Sequence, residues 1–239
     1  EPIKNGIVTK LGWRNLTPVQ ELSFPEIISG KNTIILAPTA GGKTEAAFLP
    51  VLNVMYTENL EPISIIYVSP IKALLNNQEE RLKKLSSFVY SDVFKWHGDV
   101  ESSEKQKFYK NPPQILMIIP ESHEVILMSQ KIDKKQLFAN IRFIVIDEIH
   151  AFADSERGIH LMAVAERIQS FSKFDIQRIG LSATVGNPHE ILKWMQGSSS
   201  REGIVINPPK EKKPKKIEIK YVDEAKDDFQ QDIAKRIFG

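Results

Sequence analysis

The sequence predicts an α/β protein built on a doubly wound parallel sheet in a three-layer arrangement. Short runs of branched and aromatic residues recur along the chain, and each is followed by a longer amphipathic stretch. The runs are almost continuously apolar, which is typical of strands buried on both faces of a parallel sheet. The repeated alternation of strand and helix then predicts right-handed crossovers, with helices on both faces of the sheet.

Six strands and five helices follow from these patterns. The predicted strands are 33–37, 64–68, 92–96, 115–119, 143–146 and 179–181. The predicted helices are 43–55, 72–86, 121–128, 160–171 and 188–195. In the fourth helix, Leu161, Val164 and Ile168 recur at helical spacing. Sheets of this kind bind ligands at the carboxyl ends of their strands, so the chemistry is expected just after each strand.

The composition is that of an ordinary globular protein, since 41% of the 239 residues are hydrophobic and 26% are charged. The chain has no cysteine, which excludes disulfides and thiolate metal sites. No apolar run reaches the roughly 18 residues that a membrane-spanning helix needs. A cytoplasmic protein without a membrane partner is therefore expected. The net charge of +2 is too small to indicate nucleic-acid binding by itself.

A glycine-rich loop, residues 37–44, follows the first predicted strand and leads into a helix. Its sequence, Ala-Pro-Thr-Ala-Gly-Gly-Lys-Thr, is close to the phosphate-loop pattern, with Ala37 at the usual first glycine. The N–H groups of such a loop converge on phosphate, so ATP with Mg²⁺ is expected here. Lys43 would neutralise the β- and γ-phosphates, and the Thr44 hydroxyl would bind Mg²⁺. The expected nucleotide contacts are Thr39, Ala40, Gly41, Gly42, Lys43, Thr44 and Glu45.

Polar residues directly follow the apolar run 143–146. Asp147 is expected to bind Mg²⁺, because a carboxylate at the end of a strand can reach the metal beside a phosphate loop. Glu148 is the expected base, which orients or deprotonates the attacking water. His150 is expected to link this catalytic group to a neighbouring element. A solvated turn is the alternative, and the preceding apolar run and the phosphate loop argue against it.

Taken together, these segments resemble the first RecA-like domain of superfamily 2 helicases of the DExH group. The likeness covers roughly residues 5–206, and residues 45–50 are particularly similar to the large helicase-related (Lhr-like) branch. The resemblance implies a RecA-like phosphate-loop NTPase fold. It also implies the ATP-binding domain of an ATP-dependent DNA or RNA helicase or translocase, with a role such as DNA repair.

Two further segments resemble family motifs around the nucleotide. Residues 17–20 resemble the Q motif, which implies that Gln20, together with Thr17, binds adenine. Residues 182–184 resemble motif III, whose hydroxyls are implied to hydrogen-bond the motif II histidine and so couple ATP to nucleic acid. The coupling residues implied in this way are Ser182, Ala183 and Thr184.

Three segments resemble motifs that grip a nucleic-acid backbone. Residues 69–74 resemble motif Ia, residues 97–99 stand at the place of motif Ib, and residues 119–122 resemble the motif that follows. The implied contacts are Ser69, Pro70, Lys72, Gly98, Pro120, Glu121 and Ser122. The implied partner is single-stranded nucleic acid, with DNA favoured over RNA by analogy. For each segment a simple turn or helix start is the alternative.

The chain is predicted to divide after residue 206. Residues 1–206 form the RecA-like domain, and residues 207–239 form a linker rich in lysine and proline and the beginning of a second domain or tail. In the family, a second RecA-like domain supplies an arginine that stabilises the transferring phosphate. No motif with this arginine is found in the sequence, so a second domain is expected in cis or in trans. Alone, the chain is expected to bind ATP and to hydrolyse it poorly.

Two other functions stay open. The first is a nucleotide-gated, non-catalytic scaffold that binds nucleic acid or a partner. It is favoured by Ala40 and Ile119, which stand where the family usually has glycine and threonine. Intact Lys43, Asp147 and Glu148 argue against it. The second is a phosphate-loop ATPase unrelated to nucleic acid, and the order of the motifs along the chain argues against that function.

Overall fold

Seven parallel strands form one sheet in the computed structural model, which describes residues 1–130, 132–183 and 185–209. The spatial order of the strands is β3-β4-β2-β5-β6-β1-β7. The strands are β1 (Asn32–Leu36), β2 (Ile65–Val68), β3 (Val93–Trp96), β4 (Ile115–Ile118), β5 (Phe143–Ile146), β6 (Gln177–Ser182) and β7 (Gly203–Ile206). Neighbours in space are mostly distant in sequence, which is the doubly wound topology. The predicted fold class is confirmed.

Helices connect the strands on both faces of the sheet. They are α1 (Pro2–Asn5), α2 (Pro18–Ile28), α3 (Lys43–Thr57), α4 (Lys72–Ser86), α5 (Ser102–Lys110), α6 (Pro120–Met128), α7 (Lys134–Leu137), α8 (Glu156–Gln169) and α9 (Pro188–Gln196). A π-helical turn, Gly6–Lys10, continues α1, and short 3₁₀ turns follow α4 and β5.

The alternating faces of the central strands build two hydrophobic cores. Tyr67 and Val145 belong to the core on the side of α2, α3 and α4. Ile66 and Ile144, their neighbours in sequence, belong to the core on the side of α6, α8 and α9. Every residue of β1, β2, β4 and β5 is buried. Burial on both faces explains why these strands read as continuous apolar runs rather than as alternating patterns.

Some elements differ from the sequence prediction. The helix predicted from residue 160 begins at Glu156, because the Ser155 side chain accepts a hydrogen bond from the Gly158 N–H and caps it. Strand β7 was not predicted, since it is a short edge strand with an exposed first residue. Helix α2 was also missed, although Pro18 at its first turn and the capping box of Thr17 and Gln20 mark its start.

Contacts gather Glu1–Pro208 into one unit, which contains all the elements above. The predicted linker and tail, 207–239, lie outside the described residues from position 210 onward. Within the described part of the chain, no helix combines the length and the apolar character that crossing a membrane requires.

Candidate nucleotide and nucleic-acid site

The glycine-rich loop joins the carboxyl end of β1 to the first turn of α3. Gly42 precedes the helix with a φ of +82°, a left-handed conformation that favours glycine. Lys43 is buried, and its ammonium donates to the Ala37 carbonyl at 2.9 Å and to the Pro38 carbonyl at 3.3 Å.

 These two carbonyls hold the lysine in the loop, and neither competes for it with a negative charge. Phosphate oxygens are therefore stronger partners for this ammonium than its present ones.

The Q-like segment contacts this loop directly. Gln20 is buried, and its amide oxygen accepts a hydrogen bond from the Thr17 N–H at 2.9 Å. Its amide nitrogen donates to the Gly42 carbonyl at 3.5 Å. A Cβ atom at Gly42 would lie 2.7 Å from the Gln20 amide nitrogen, so a larger residue at this position would displace the end of the Gln20 side chain. The structure thus brings the two residues predicted for adenine next to the phosphate loop.

Ala40 adopts a left-handed conformation, with a φ of +60°. An L-residue other than glycine is strained there by about 1–2 kcal/mol, because its Cβ approaches the following carbonyl oxygen. The sequence departs from the family's usual glycine at this position. The loop therefore keeps its left-handed turn at an energetic cost.

Replacing Ala40 by glycine is expected to raise the free energy of unfolding by about 0.5–1 kcal/mol. The relief of strain exceeds the extra entropy that glycine gives the unfolded chain. Urea unfolding measures the change. Ala47→Gly, in the buried middle of α3, is the matched control and should lower stability. A loss of stability in Ala40→Gly as well would contradict the strained loop.

Glu45 lies in the first turn of α3, and its side chain is tied to α4. The Arg81 guanidinium donates to both Glu45 carboxylate oxygens, from Nε and from Nη2. The Glu45 side chain is buried, whereas Arg81 is partly exposed. This pair joins α3, the helix of the phosphate loop, to α4, the helix of the motif Ia segment. Nothing in the sequence indicated that Arg81 would be the partner of Glu45.

Asp147 stands at the carboxyl end of β5, where two donors hold its carboxylate. Its Oδ1 accepts from the Glu148 N–H at 3.0 Å, and its Oδ2 accepts from the Tyr67 hydroxyl at 2.5 Å. Burial raises the pKa of the Asp147 carboxyl above its usual value, and the Tyr67 hydrogen bond and the positive charge of Lys43 offset only part of this rise.

Glu148 and His150 follow Asp147 in a tight turn. Glu148 has a φ of +44° and a ψ of +48°, a strained conformation of the kind that is found at active sites. Its carboxylate lies 3.4 Å from His150 Nδ1, which is also 3.0 Å from the Ser182 hydroxyl. The two polar side chains at the end of β5 are thus linked to the end of β6.

Ser182 connects the two strand ends that carry the predicted chemistry. Its hydroxyl bonds His150, and its carbonyl accepts from the Ala37 N–H at 3.3 Å, where the phosphate loop begins. The Ser182 hydroxyl therefore lies within hydrogen-bonding distance of His150, the contact that the motif III resemblance implies. Ala183 follows it at the end of the strand, and Thr184 lies outside the described residues.

The segments predicted to grip nucleic acid meet at the same edge of the sheet. Arg157, in the first turn of α8, donates to the Pro70 carbonyl at 2.6 Å and to Glu121 Oε1 at 2.8 Å. It therefore joins the motif Ia segment to the start of α6. The Lys72 ammonium pairs with the Asp99 carboxylate, which ties motif Ia to the turn that contains Gly98.

The predicted nucleic-acid residues differ in their exposure. Lys72, Gly98 and Glu121 are exposed, whereas Pro70, Pro120 and Ser122 are buried. Ser69 is fully buried, and its hydroxyl lies 3.5 Å from the Ile71 carbonyl. The exposed members are the ones that can meet a ligand without a rearrangement. Arg157 lies within the part of the chain that the resemblance covers, but no role was predicted for it.

A family model for DEAD/DEAH box helicases matches residues 17–191, which include the phosphate loop, Asp147 to His150 and Ser182. The chain belongs to the DEAD/DEAH box helicase family. The predicted membership of superfamily 2 and the Lhr-like resemblance are confirmed by its relatives.

Among these helicases, the ATP-dependent helicase Lhr-Core of Methanocaldococcus jannaschii is 35% identical, over 100% of this chain and 30% of that protein. Lhr-Core of Sulfolobus acidocaldarius is 36% identical, over 81% of this chain and 23% of that protein. The solved structure of Mycobacterium smegmatis helicase Lhr bound to ssDNA and AMP-PNP is 30% identical, with a TM-score of 0.76 over 87% of this chain and 27% of that one. The chain thus spans less than a third of the length of these helicases.

Proposed function

We propose that this chain is the ATP-binding domain of an ATP-dependent DNA or RNA helicase or translocase. One observation carries the proposal: at the ends of β1, β5 and β6, a continuous series of polar contacts links Lys43, Ser182 and Asp147. A phosphate-binding cation and a carboxylate for a metal are groups that phosphoryl transfer requires, and Ser182 connects the strand ends that carry them. The cytoplasm, where ATP is available, is the proposed location.

The residues present fit ATP with Mg²⁺. Lys43 would bind the β- and γ-phosphates, while the Thr44 hydroxyl and the Asp147 carboxylate would hold the metal, which neutralises the charge of the transferring phosphate. Among the described residues no cluster of three acidic or histidine side chains forms a metal site by itself. Two protein oxygens suit Mg²⁺, which takes its other ligands from phosphates and water. Thr39 to Gly42 would supply backbone N–H groups, and Thr17 and Gln20 would face adenine.

Glu148 is the proposed base for the attacking water. The Glu148 carboxylate is partly exposed beside His150, and the left-handed backbone of Glu148 sets the direction in which its side chain leaves the turn. A base positioned in this way contributes about 10²–10⁴-fold to hydrolysis. The proposed coupling residues, which would transmit the state of the nucleotide to the rest of the domain, are His150, Ser182, Ala183 and Thr184. Ser182 supports this role because it contacts both His150 and the start of the phosphate loop.

Single-stranded nucleic acid is the proposed partner, and DNA is favoured over RNA. The Mycobacterium smegmatis helicase Lhr was solved with ssDNA, and the helicase MrfA, 27% identical, was solved with DNA. The proposed contacts are Ser69, Pro70, Lys72, Gly98, Pro120, Glu121 and Ser122. Contacts to the backbone imply binding that depends on salt and little on sequence. A role in DNA repair is part of this proposal by analogy.

A second RecA-like domain is the proposed partner of this one, in cis or in trans. The relatives are more than three times as long as the part that they share with this chain. The second domain would close over ATP and supply the arginine that stabilises the transferring phosphate. Cycles of closure and opening would move the two domains along the strand. The domain proposed here is residues 1–206, and residues 207–239 are proposed to be a linker rich in lysine and proline and the beginning of a second domain or tail.

Nucleotide binding tests the proposal. A fluorescent ATP analogue should bind the chain in the presence of Mg²⁺, and Lys43→Ala should weaken binding by about 30- to 100-fold, because a charge-assisted phosphate contact is lost. Lys193→Ala, at an exposed position on α9, is the matched control and should leave the affinity unchanged. Equal affinities of all three proteins, or no binding by any, would refute the proposed nucleotide site.

Nucleic-acid binding is tested through the Lys72–Asp99 pair. Lys72→Ala should weaken binding of a fluorescent single strand and make the salt dependence shallower by about 0.7 in slope, because one phosphate contact disappears. Asp99→Asn should strengthen binding, because the carboxylate that competes for Lys72 is removed. Unchanged affinity for the nucleic acid in both variants would show that Lys72 does not contact it.

A non-catalytic scaffold is the second candidate, and the strained Ala40 in the phosphate loop favours it. A scaffold would change its affinity for the single strand when nucleotide binds, and would hydrolyse no ATP even beside a second domain. Turnover measured with and without single-stranded DNA therefore separates the two functions.

A further inference from the structure

Tyr67 is a buried polar residue that the proposed chemistry above does not use. It lies on β2, whose other residues are aliphatic, and it is fully inaccessible to solvent. A buried tyrosine hydroxyl needs a hydrogen-bond partner. The partner here is Oδ2 of Asp147, the carboxylate proposed to hold Mg²⁺. The tyrosine and the aspartate stand at the ends of neighbouring strands, because β2 pairs with β5.

The direction of this hydrogen bond is fixed. A phenol hydroxyl carries its proton near neutral pH, whereas an ionised carboxylate can only accept, so Tyr67 donates to Asp147. A donor held by the protein restricts rotation of the Asp147 carboxylate about its last side-chain bond. A water molecule in the same place could move with the carboxylate and would restrict this rotation less.

The two donors to Asp147 restrain it at both oxygens. The Glu148 N–H holds Oδ1 from the backbone, and the Tyr67 hydroxyl holds Oδ2 from the neighbouring strand. Each carboxylate oxygen retains a further lone pair, since a carboxylate accepts about four hydrogen bonds or ligands in all. The plane of the carboxylate is thus set before a metal arrives. Without the hydroxyl, the backbone bond alone would restrain it.

The tyrosine is itself held by the phosphate-loop helix. Its ring lies 5.7 Å from the ring of Phe48, centroid to centroid, and Phe48 is a buried residue of α3. This ring contact from α3 restricts the position of the donor relative to Lys43 and Thr44 at the start of that helix.

We propose that Tyr67 is a positioning residue that orients the Asp147 carboxylate for the Mg²⁺ of the bound nucleotide. The inference rests on the proposed function, because it assumes that Asp147 meets the metal. It extends the metal site to a residue on β2, the strand that leads into the motif Ia segment. Partners that orient a metal ligand typically contribute about 10- to 100-fold to metal affinity.

The test compares nucleotide binding with and without Mg²⁺. The affinity of the chain for a fluorescent ADP is measured in excess EDTA and then in excess Mg²⁺, and the ratio gives the contribution of the metal. Tyr67→Phe removes only the hydroxyl. It should leave the EDTA affinity within about twofold and lower the metal contribution about 10-fold. Tyr56→Phe, an exposed position on α3, is the matched control and should change neither value.

A double-mutant cycle with Asp147→Asn separates orientation of the ligand from a general effect on packing. If Tyr67 acts through the carboxylate, Tyr67→Phe should change the metal contribution by less than twofold once Asp147 has been replaced. An equal loss in both backgrounds would overturn the inference, as would an unchanged metal contribution in Tyr67→Phe. Absence of nucleotide binding by the unmodified chain, even in EDTA, would instead overturn the proposed function together with the inference.

A second measurement keeps the inference testable if Tyr67→Phe does not fold. The unmodified chain is labelled with 3-fluorotyrosine at its five tyrosines, and the Tyr67 signal is assigned by replacing each of the other four with phenylalanine. Adding Mg²⁺ to the ADP-bound chain should shift the Tyr67 fluorine resonance, because its acceptor becomes a metal ligand. A resonance that does not move would overturn the proposed role.

Discussion

Adding a second RecA-like domain to this chain, fused or in trans, is expected to raise its rate of ATP hydrolysis by about 10³–10⁵-fold, the contribution of an arginine that stabilises the transferring phosphate. The arginine joined to the phosphate-loop helix, Arg81, cannot take this role as it stands, because both Glu45 carboxylate oxygens bind it. Steady-state release of phosphate in the presence of single-stranded DNA measures the gain.

The matched control is the same second domain with its arginine replaced by alanine. It should dock as before and leave hydrolysis near the rate of the chain alone. Vigorous turnover by the isolated chain would contradict the expectation. It would mean that an arginine of this chain, or of a second copy, already completes the site.

Replacing Glu148 by glutamine in the two-domain assembly is expected to lower hydrolysis by about 10²–10⁴-fold, the usual contribution of a general base. Glutamine keeps the size of the side chain and its neighbour His150, but it cannot take a proton from water. Binding of ATP should stay within about twofold, because Lys43, Thr44 and Asp147 are unchanged. Rapid-quench measurement of one turnover isolates the chemical step from product release.

Glu156→Gln provides the comparison for this substitution, because Glu156 is an exposed glutamate at the start of α8. It should hydrolyse ATP at the normal rate. If Glu148→Gln also did so, the attacking water would be activated by another group, and the strained backbone at Glu148 would need a different explanation.

The sequence predicted best those features that follow from local pattern. The buried parallel strands were found because burial on both faces leaves only apolar residues in them. The phosphate loop and Asp147 to His150 were found because each follows such a strand, and the link from Ser182 to His150 was expected from the family resemblance. Helix α5 was missed because its one buried residue is Phe108, which leaves too little apolar periodicity to detect.

The contacts that join distant parts of the chain could not be predicted in this way. Tyr67 reads as one more residue of an apolar strand, and its partner Asp147 lies 80 positions later. Arg81 and Glu45 likewise sit on different helices, and nothing in either local pattern names the other. Such pairs depend on how the strands are ordered in space, which one sequence does not specify at the level of single side chains.

The strand order also bears on how the nucleotide site assembles during synthesis. Thr33 of β1 pairs with Ile179 of β6 and Ile204 of β7, which leave the ribosome long after β1 itself. Contacts between residues so far apart in sequence form late and slowly. The amide protons of β1 should therefore gain protection from exchange among the last in the sheet during refolding. A nascent chain that ends before β6 would present the phosphate loop without a strand on either side of β1, and its ability to hold ATP should appear only when the unit is nearly complete.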